Sequence, residues 1–193
     1  MRLGRDKVRE VVGSSNLLQR VLSQLTPFNR DIIIVTAGEK SLPPFNEYQR
    51  LKIVTDIYPG KGTLGGIYTG LAVSNSWYNL VVACDMPFLN HALLRFMMEL
   101  SVGFDLVVPR LGEWVEPLHA VYARSCLAPI KTLLSQGNLE IRALFELVIV
   151  RYIEAEEIDR FDPDHLSFFN INTEADLAKA KQLATGDMSY DKC

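Results

Sequence analysis

The sequence predicts an α/β protein of the three-layer Rossmann-like kind, an open, mostly parallel sheet with helices on both faces. Three observations carry that prediction. Continuous apolar runs at Ile32–Val35, Leu80–Cys84 and Leu106–Val108 read as strands buried on both faces. Stretches of helical periodicity separate the runs, as at Leu17, Leu18, Val21, Leu22 and Leu25. The 193 residues are 48% apolar and 22% charged, an ordinary globular composition that excludes collagen, coiled coil and a disulfide scaffold.

Taken in order, Ser14 to Leu25 is an amphipathic helix with Ser14 or Ser15 as N-cap and Pro27 beyond its end. Asp31 to Thr36 is a buried strand, and Leu51 to Thr55 a second, shorter one. Asp56 to Gly66 is a Pro/Gly-rich loop that opens a helix reaching Ser74. Asn79 to Cys84 is the third strand; it ends at Asp85-Met86-Pro87 and is followed by a helix over His91 to Leu100. Asp105 to Pro109 and Leu118 to Ala123 are strands, Ser125 to Leu134 is a helix, and Leu147 to Ile153 is a late strand of weak alternation. Phe168 to Asn172 leads into a helix over Thr173 to Leu183, where Thr173 and Asp176 have capping-box spacing. Residues 1–184 read as one domain, and 185–193 as a polar tail that frays.

Twenty basic and 23 acidic residues give a net charge of −3, with neither sign massed in one region, which argues against nucleic acid as a partner. Cys84, Cys126 and Cys193 lie far apart without a CxxC pair, as expected of reduced thiols in a cytoplasm. Cys84 reads as small core filling, and Phe45, Trp77 and Trp114 as core or packing residues. No apolar stretch approaches the roughly 20 residues a membrane span needs, and the N-terminus lacks the apolar block of a signal peptide. The expectation is a soluble cytoplasmic protein without membrane contact.

In an open α/β sheet, ligands bind outside the carboxyl ends of the strands, so the residues after each apolar run carry the information. Gly60-Lys61-Gly62-Thr63-Leu64-Gly65-Gly66 is one such stretch. Glycines let backbone approach a phosphate or base, and the helix N-terminus that follows favours negative charge. A plain flexible turn is the competing reading. Gly60, Gly62 and Gly65 also satisfy G-x-G-x-x-G, with Asp85 20 residues beyond Gly65, the dinucleotide-binding spacing. Against that, Asp56-Ile57-Tyr58-Pro59 separates the glycines from the strand. A Walker A loop fails because Gly62, not Ser or Thr, follows Lys61.

Asp85 is placed stiffly by a buried strand and offers a hard oxygen that can carry Mg²⁺ between phosphates; the alternative is a turn or N-cap before His91. Lys7 would stabilise charge on triphosphate oxygens or else be a solvated surface lysine. Asp56 would accept from purine N–H groups or form a turn. His119 is a lone imidazole at a strand start, a pattern more often structural than catalytic. Asn170 and Asn172 flank Ile171 and so face one side of a strand end, where paired amides read a heteroaromatic ring.

Five blocks in this order resemble the molybdenum cofactor guanylyltransferase family, part of the nucleotidyltransferases of nucleotide-diphospho-sugar transferase type. Arg2-Leu3-Gly4-Arg5-Asp6-Lys7 is similar to the end of the signature L-A-G-G-x-S-x-R-M-G-x-D-K, and Gly62-Thr63-Leu64-Gly65-Gly66-Ile67 with Gly70-Leu71 to G-P-L-G-G-I and G-L. Cys84-Asp85-Met86-Pro87-Phe88 resembles C-D-M-P-F, and Pro117 to Tyr122 and Phe169 to Thr173 resemble two later blocks.

The resemblance implies transfer of GMP from GTP to molybdopterin, giving molybdopterin guanine dinucleotide and pyrophosphate. It implies Asp85 as Mg²⁺ ligand and Lys7 on the triphosphate. Asp56 with Gly65-Gly66 would hold the guanine nucleotide, and Pro117, His119, Asn170 and Asn172 would face the pterin. Proteins of molybdenum cofactor biosynthesis and acceptor molybdoenzymes are the implied partners. Thr63 departs from the family's Pro, Gly38 falls where relatives carry Asn, and the L-A-G-G half of the first signature with its strand is expected to be missing ahead of Arg2. Cytidylyl transfer to the same acceptor, a non-catalytic pterin- or nucleotide-binding homologue, and a dinucleotide-dependent oxidoreductase stay open as alternatives.

Overall fold

The computed structural model describes residues 10–38, 48 and 50–186. Lys7, the Arg2–Lys7 block, Phe45 and Cys193 lie outside the described residues.

The chain enters through a hairpin of β1 (Val11–Val12) and β2 (Ser15–Asn16), turned by Gly13 at φ 67°. Asn16 then caps α1 (Leu17–Leu25): its side chain accepts from Gln19 N at 2.8 Å, and the Gln19 side chain accepts from Asn16 N at 3.2 Å. The expected caps, Ser14 and Ser15, are instead used by the hairpin, because a hairpin turn placed there leaves Asn16 as the last extended residue.

Two parallel strands follow, β3 (Ile32–Thr36) and β4 (Leu51–Thr55), in register from Ile32↔Leu51 to Thr36↔Thr55. Next come α2 (Gly62–Val73), β5 (Tyr78–Val82), α3 (His91–Glu99) and β6 (Leu106–Leu111). A short β7 (Trp114–Val115) folds back on β6, and β8 (His119–Ala123) inserts between β5 and β6. Beyond these lie α4 (Leu127–Ser135), α5 (Arg142–Phe145), β9 (Val150–Ile153), α6 (Ala155–Ile158) and α7 (Glu174–Gly186).

The larger, five-stranded sheet holds β5-β8-β6-β9 with the short β7 also on β6; β5, β6 and β9 share one direction, and β8 and β7 oppose them. The open α/β arrangement is as expected, with β8 and the short β7 the antiparallel members. Among the described residues no ladder bond joins β3 and β4 to this sheet. Helices tie the two together. On one face, α1 sets Leu18 and Leu22 on Ile32 and Ile34, and Val21 on Leu80 and Val82. On the other, α2 brings Leu64, Ile67 and Leu71 against Leu106, Val108 and Tyr122, and a Cβ on Gly70 would stand 3.7 Å from the Val35 side chain.

Several boundaries differ from the sequence expectation for local reasons. Helix α2 starts at Gly62, so Gly65 and Gly66 are helical and not part of the loop. Strand β6 continues through Pro109, whose missing N–H costs nothing because the β8 ladder stops at Val107. Strand β5 ends at Val82, which leaves Cys84 exposed in the turn and not in the core. Trp77 is 59% and Trp114 39% exposed, so neither is a core residue. Strand β9 starts only at Val150, and α7 extends to Gly186.

Candidate functional site

Helix α2 runs back from the end of β4 to the start of β5, so the carboxyl ends of both strands lie at one edge of the molecule. The predicted residues fall into two groups along that edge.

The first group follows β4. Oδ1 of Asp56 accepts from Tyr58 N at 2.9 Å and from the Thr69 hydroxyl at 2.8 Å, which closes a turn and pins it to α2. Thr69 is fully buried and also accepts from Ile57 N at 3.1 Å. Positive φ at Gly60 (77°) and Gly62 (60°) bends the chain into the helix, whose N-cap residue Lys61 supplies no side-chain cap. Gly65 and Gly66 play different parts. A Cβ on Gly65 would stand 2.9 Å from the Tyr58 carbonyl oxygen and 3.1 Å from Oδ2 of Asp56, so this glycine is required by the packing of the loop onto the helix. A Cβ on Gly66 would meet nothing within 4 Å, so the space over it is open.

The second group surrounds the turn after β5. The backbone oxygen of Asp85 accepts from Ile171 N at 3.0 Å, which lays the 169–172 segment against this turn. Ile171 is fully buried, in a cluster that also holds Val12 and Leu177. The third member is Glu116, between β7 and β8. The residue is 8% exposed, its carboxylate accepts from Leu118 N at 3.0 Å, and Asn170 and Asp85 are among the groups that act on it. Burial, helped by the nearby Asp85 charge, holds its pKa above the usual carboxylate range. Asp85, Glu116 and Asn170 are therefore brought together, with Pro117 beside them. Glu116 escaped the sequence reading; the available signal was an acidic residue directly before Pro117-Leu118-His119, at a position the fold buries.

The remaining predicted residues are placed differently. His119 is fully buried under Phe168, with ring centroids 5.0 Å apart, and both its ring nitrogens lack a hydrogen-bond partner among the described residues. Burial lowers its pKa to about 3, so it is a neutral imidazole inside the core and presents no surface to a ligand. The Pro117 carbonyl accepts from the buried Tyr122 hydroxyl at 2.8 Å. Asn172 is exposed, and its backbone N–H donates to Oδ2 of Asp176 at 3.0 Å in the cap of α7. Residues 169–172 form no strand, so the alternation expected to set both amides on one side does not apply; Asn170 is half-buried and Asn172 exposed. Cys126 is buried and its thiol is pushed up to about 12 by that burial, which leaves it unreactive. An open cavity of about 620 Å³ lies at the carboxyl end of β6 and contains no predicted residue; there Arg110 is paired with Glu154 at 2.5 Å and stacked on Tyr152.

Comparison with known proteins adds the following. The model of the MobA-like NTP transferase domain matches residues 1–155. A probable molybdenum cofactor guanylyltransferase of Pelotomaculum thermopropionicum is 35% identical over 183 residues, covering 95% of this chain and 87% of that protein. A molybdenum cofactor guanylyltransferase of Desulfosudis oleivorans is 33% identical over 92% of this chain and 87% of its own length. Among solved structures, molybdopterin-guanine dinucleotide biosynthesis protein A of Archaeoglobus fulgidus superposes with a TM-score of 0.82 at 29% identity, covering 96% of this chain and 93% of that one. The 2-C-methyl-D-erythritol 4-phosphate cytidylyltransferase of Thermus thermophilus shares the fold with a TM-score of 0.70 at 17% identity, over 93% and 94% of the two chains.

Proposed function

This chain belongs to the MobA-like NTP transferase family, and from that premise we propose that it transfers GMP from GTP to molybdopterin, forming molybdopterin guanine dinucleotide and releasing pyrophosphate. The relatives named for that activity, at 35% and 33% identity over nearly the whole chain, carry the reading. Membership of this family sets aside the dinucleotide-dependent oxidoreductase.

The terminal phosphate of molybdopterin attacks the α-phosphorus of GTP in line; the new P–O bond forms as the bond to the β-phosphate oxygen breaks and pyrophosphate departs. Catalysis of this kind rests on positioning and charge neutralisation. The Asp56 loop and the open surface over Gly66 hold the guanine nucleotide, with the uncapped N-terminus of α2 favouring its negative charge. Lys7 is assigned to the triphosphate from the sequence alone. Asn170, beside Asp85 and Glu116, faces the acceptor. The buried His119 acts beneath this surface and not on it.

The donor set at Asp85 fits a divalent cation of the Mg²⁺ type. Two oxygen anions, Asp85 and Glu116, sit close enough to repel one another in a partly buried corner, and Mg²⁺ is commonly held by one or two carboxylates together with substrate phosphates. Asp85 would hold the ion, which when bound neutralises charge developing on the phosphates.

Purified protein with GTP or CTP, Mg²⁺ and molybdopterin tests the reading. Formation of molybdopterin guanine dinucleotide and stabilisation against heat by GTP are expected. Stabilisation and product formation with CTP alone would replace guanylyl by cytidylyl transfer, and binding without turnover would make the chain a non-catalytic homologue.

A further inference from the structure

The cavity at the carboxyl end of β6 opens on the same edge of the sheet as Asp85. Strands β5, β6 and β9 are parallel in the order β5-β8-β6-β9, so Arg110, near the end of β6, and Glu154, just past the end of β9, share that edge with the turn after β5. With strands about 4.8 Å apart, they stand about 10 Å and about 14 Å across the sheet from β5. The Glu116–Pro117 turn lies in the interval, bound to β6 by the Glu116 N–H on the Pro109 carbonyl at 3.2 Å.

The cavity, of about 620 Å³, has a flat and fixed wall. Nε and Nη2 of Arg110 donate to the two carboxylate oxygens of Glu154 at 3.1 Å and 2.5 Å, and the guanidinium carbon lies 4.2 Å from the centre of the Tyr152 ring. Phe145 meets that ring edge to face, with centroids 6.5 Å apart. The guanidinium is thereby held in one plane, yet the side chain keeps 40% of its surface exposed. One face is covered by Tyr152 and the other borders the cavity. A planar cation fixed in this way is a platform on which a flat ring stacks.

The surrounding charges select the ring. Arg110 and Arg142 line the cavity with Glu113, Glu146 and Glu154, two positive groups against three negative, a net charge of −1. That balance disfavours a phosphate. It suits a heteroaromatic ring with N–H donors, because one carboxylate accepts two hydrogen bonds from the adjacent N–H groups of an aminopyrimidinone edge. We propose that this cavity is the subsite for the pterin of the acceptor, stacked on the open face of Arg110 with its N–H edge toward the carboxylates of Glu113 and Glu146, while its phosphate end reaches the Asp85 turn. The interval of two to three strands is one that a fused pterin with its phosphate-bearing arm spans. The assignment rests on the guanylyl-transfer reading, which supplies the acceptor.

The test measures molybdopterin binding by titration calorimetry, KM for both substrates and melting temperature in the parent, in Arg110→Lys and in the paired variant Glu113→Gln with Glu146→Gln. Lysine keeps the charge and can still pair with Glu154 but has no flat face, so molybdopterin binding should weaken and its KM rise about tenfold, with KM for GTP unchanged. The paired variant changes only exposed side chains, so its melting should match the parent, and it should lose molybdopterin affinity to a similar extent. Tighter molybdopterin binding in the paired variant would put the phosphate end in the cavity and overturn the assignment, as would parent-like binding in Arg110→Lys. Losses shared by GTP would mark the Arg110–Glu154 pair as structural and overturn it too. In a ¹⁵N–¹H spectrum the Nε–H signal of Arg110, assigned by its absence in Arg110→Lys, should move upfield when molybdopterin binds, as a proton over a ring face does. An unmoved signal with molybdopterin bound would put the pterin elsewhere and leave the guanylyl-transfer reading intact, whereas a parent protein that binds GTP but no molybdopterin would overturn both.

Discussion

The hydroxyl of Thr69 donates to Oδ1 of Asp56 at 2.8 Å and accepts from the Ile57 N–H at 3.1 Å. One buried side chain on α2 thereby holds the whole turn after β4, the turn assigned to the nucleotide. Thr69→Val keeps the volume and removes both bonds. It is expected to destabilise the fold by about 1–3 kcal/mol, with a fall in melting temperature of about 2–4 °C for each kcal/mol in a chain of this size. Thr69→Ser keeps the hydroxyl and should melt near the parent. Calorimetry on the pair checks the claim; equal melting of the Val and Ser variants would remove the hydroxyl from the account.

Gly65 and Gly66 are adjacent in sequence and opposite in what they tolerate. Alanine at 65 drives a Cβ into the Tyr58 carbonyl, so backbone must shift, an overpacking cost of about 1–3 kcal/mol. Alanine at 66 enters open space within α2 and should gain up to about 1 kcal/mol of helix propensity. Thermal melting should therefore order the proteins Gly65→Ala, parent, Gly66→Ala from least to most stable. If the nucleotide lies over Gly66, that same stabilised variant should bind GTP more weakly in a fluorescence titration. Unimpaired GTP binding by Gly66→Ala would move the nucleotide elsewhere.

The strands were legible because Ile32–Val35 and Leu106–Val108 are apolar without interruption; the burial on both faces expected of that pattern holds for Leu106–Val108, whereas β3 is half-buried along its length. The direction of β8 was not legible: Ala120 and Val121 are equally apolar in either orientation, and the antiparallel insertion is decided by pairing with β5 and β6. Asp85 could be found because a strand delivers it. Glu116 was harder to find, since an acidic residue before Pro117 does not announce the burial that the fold gives it. Cys84 was misread for a related reason: the strand stops two residues earlier than its apolar letters do, and the turn carries the thiol outward. Periodicity reports which face of an element is apolar; it is silent on where the element is cut off by its neighbours.

Asp85→Asn keeps the size and the backbone bond to Ile171 while removing the carboxylate charge. If this carboxylate holds the cation, turnover should fall at least about a hundredfold, equivalent to about 2.7 kcal/mol of lost transition-state stabilisation. The Mg²⁺ concentration giving half-maximal activity should rise as well. Steady-state assays across a Mg²⁺ series check both, and undiminished Mg²⁺-dependent turnover in the variant would refute the assignment.

His119 should make the fold sensitive to acid. Burial lowers its folded-state pKa to about 3 from an ordinary 6.5, so the unfolded chain takes up a proton here as pH falls through 6.5 while the folded chain does not until about 3. The contribution to stability is complete above pH 6.5 and is lost on acidification between those values, by up to about 1.4 kcal/mol per pH unit. His119→Leu removes the titrating group and the two unpartnered ring nitrogens, and it should be neutral or stabilising at pH 7. Between pH 7.5 and pH 5 its advantage over the parent should widen by about 2 kcal/mol, as read by urea denaturation at each pH. A difference that stays constant across that range would mean that the ring is hydrated or partnered in solution. The same variant speaks to the site: retained guanylyl transfer would place His119 in the support beneath the acceptor surface, and a selective rise in KM for molybdopterin would bring the imidazole back into contact with the pterin.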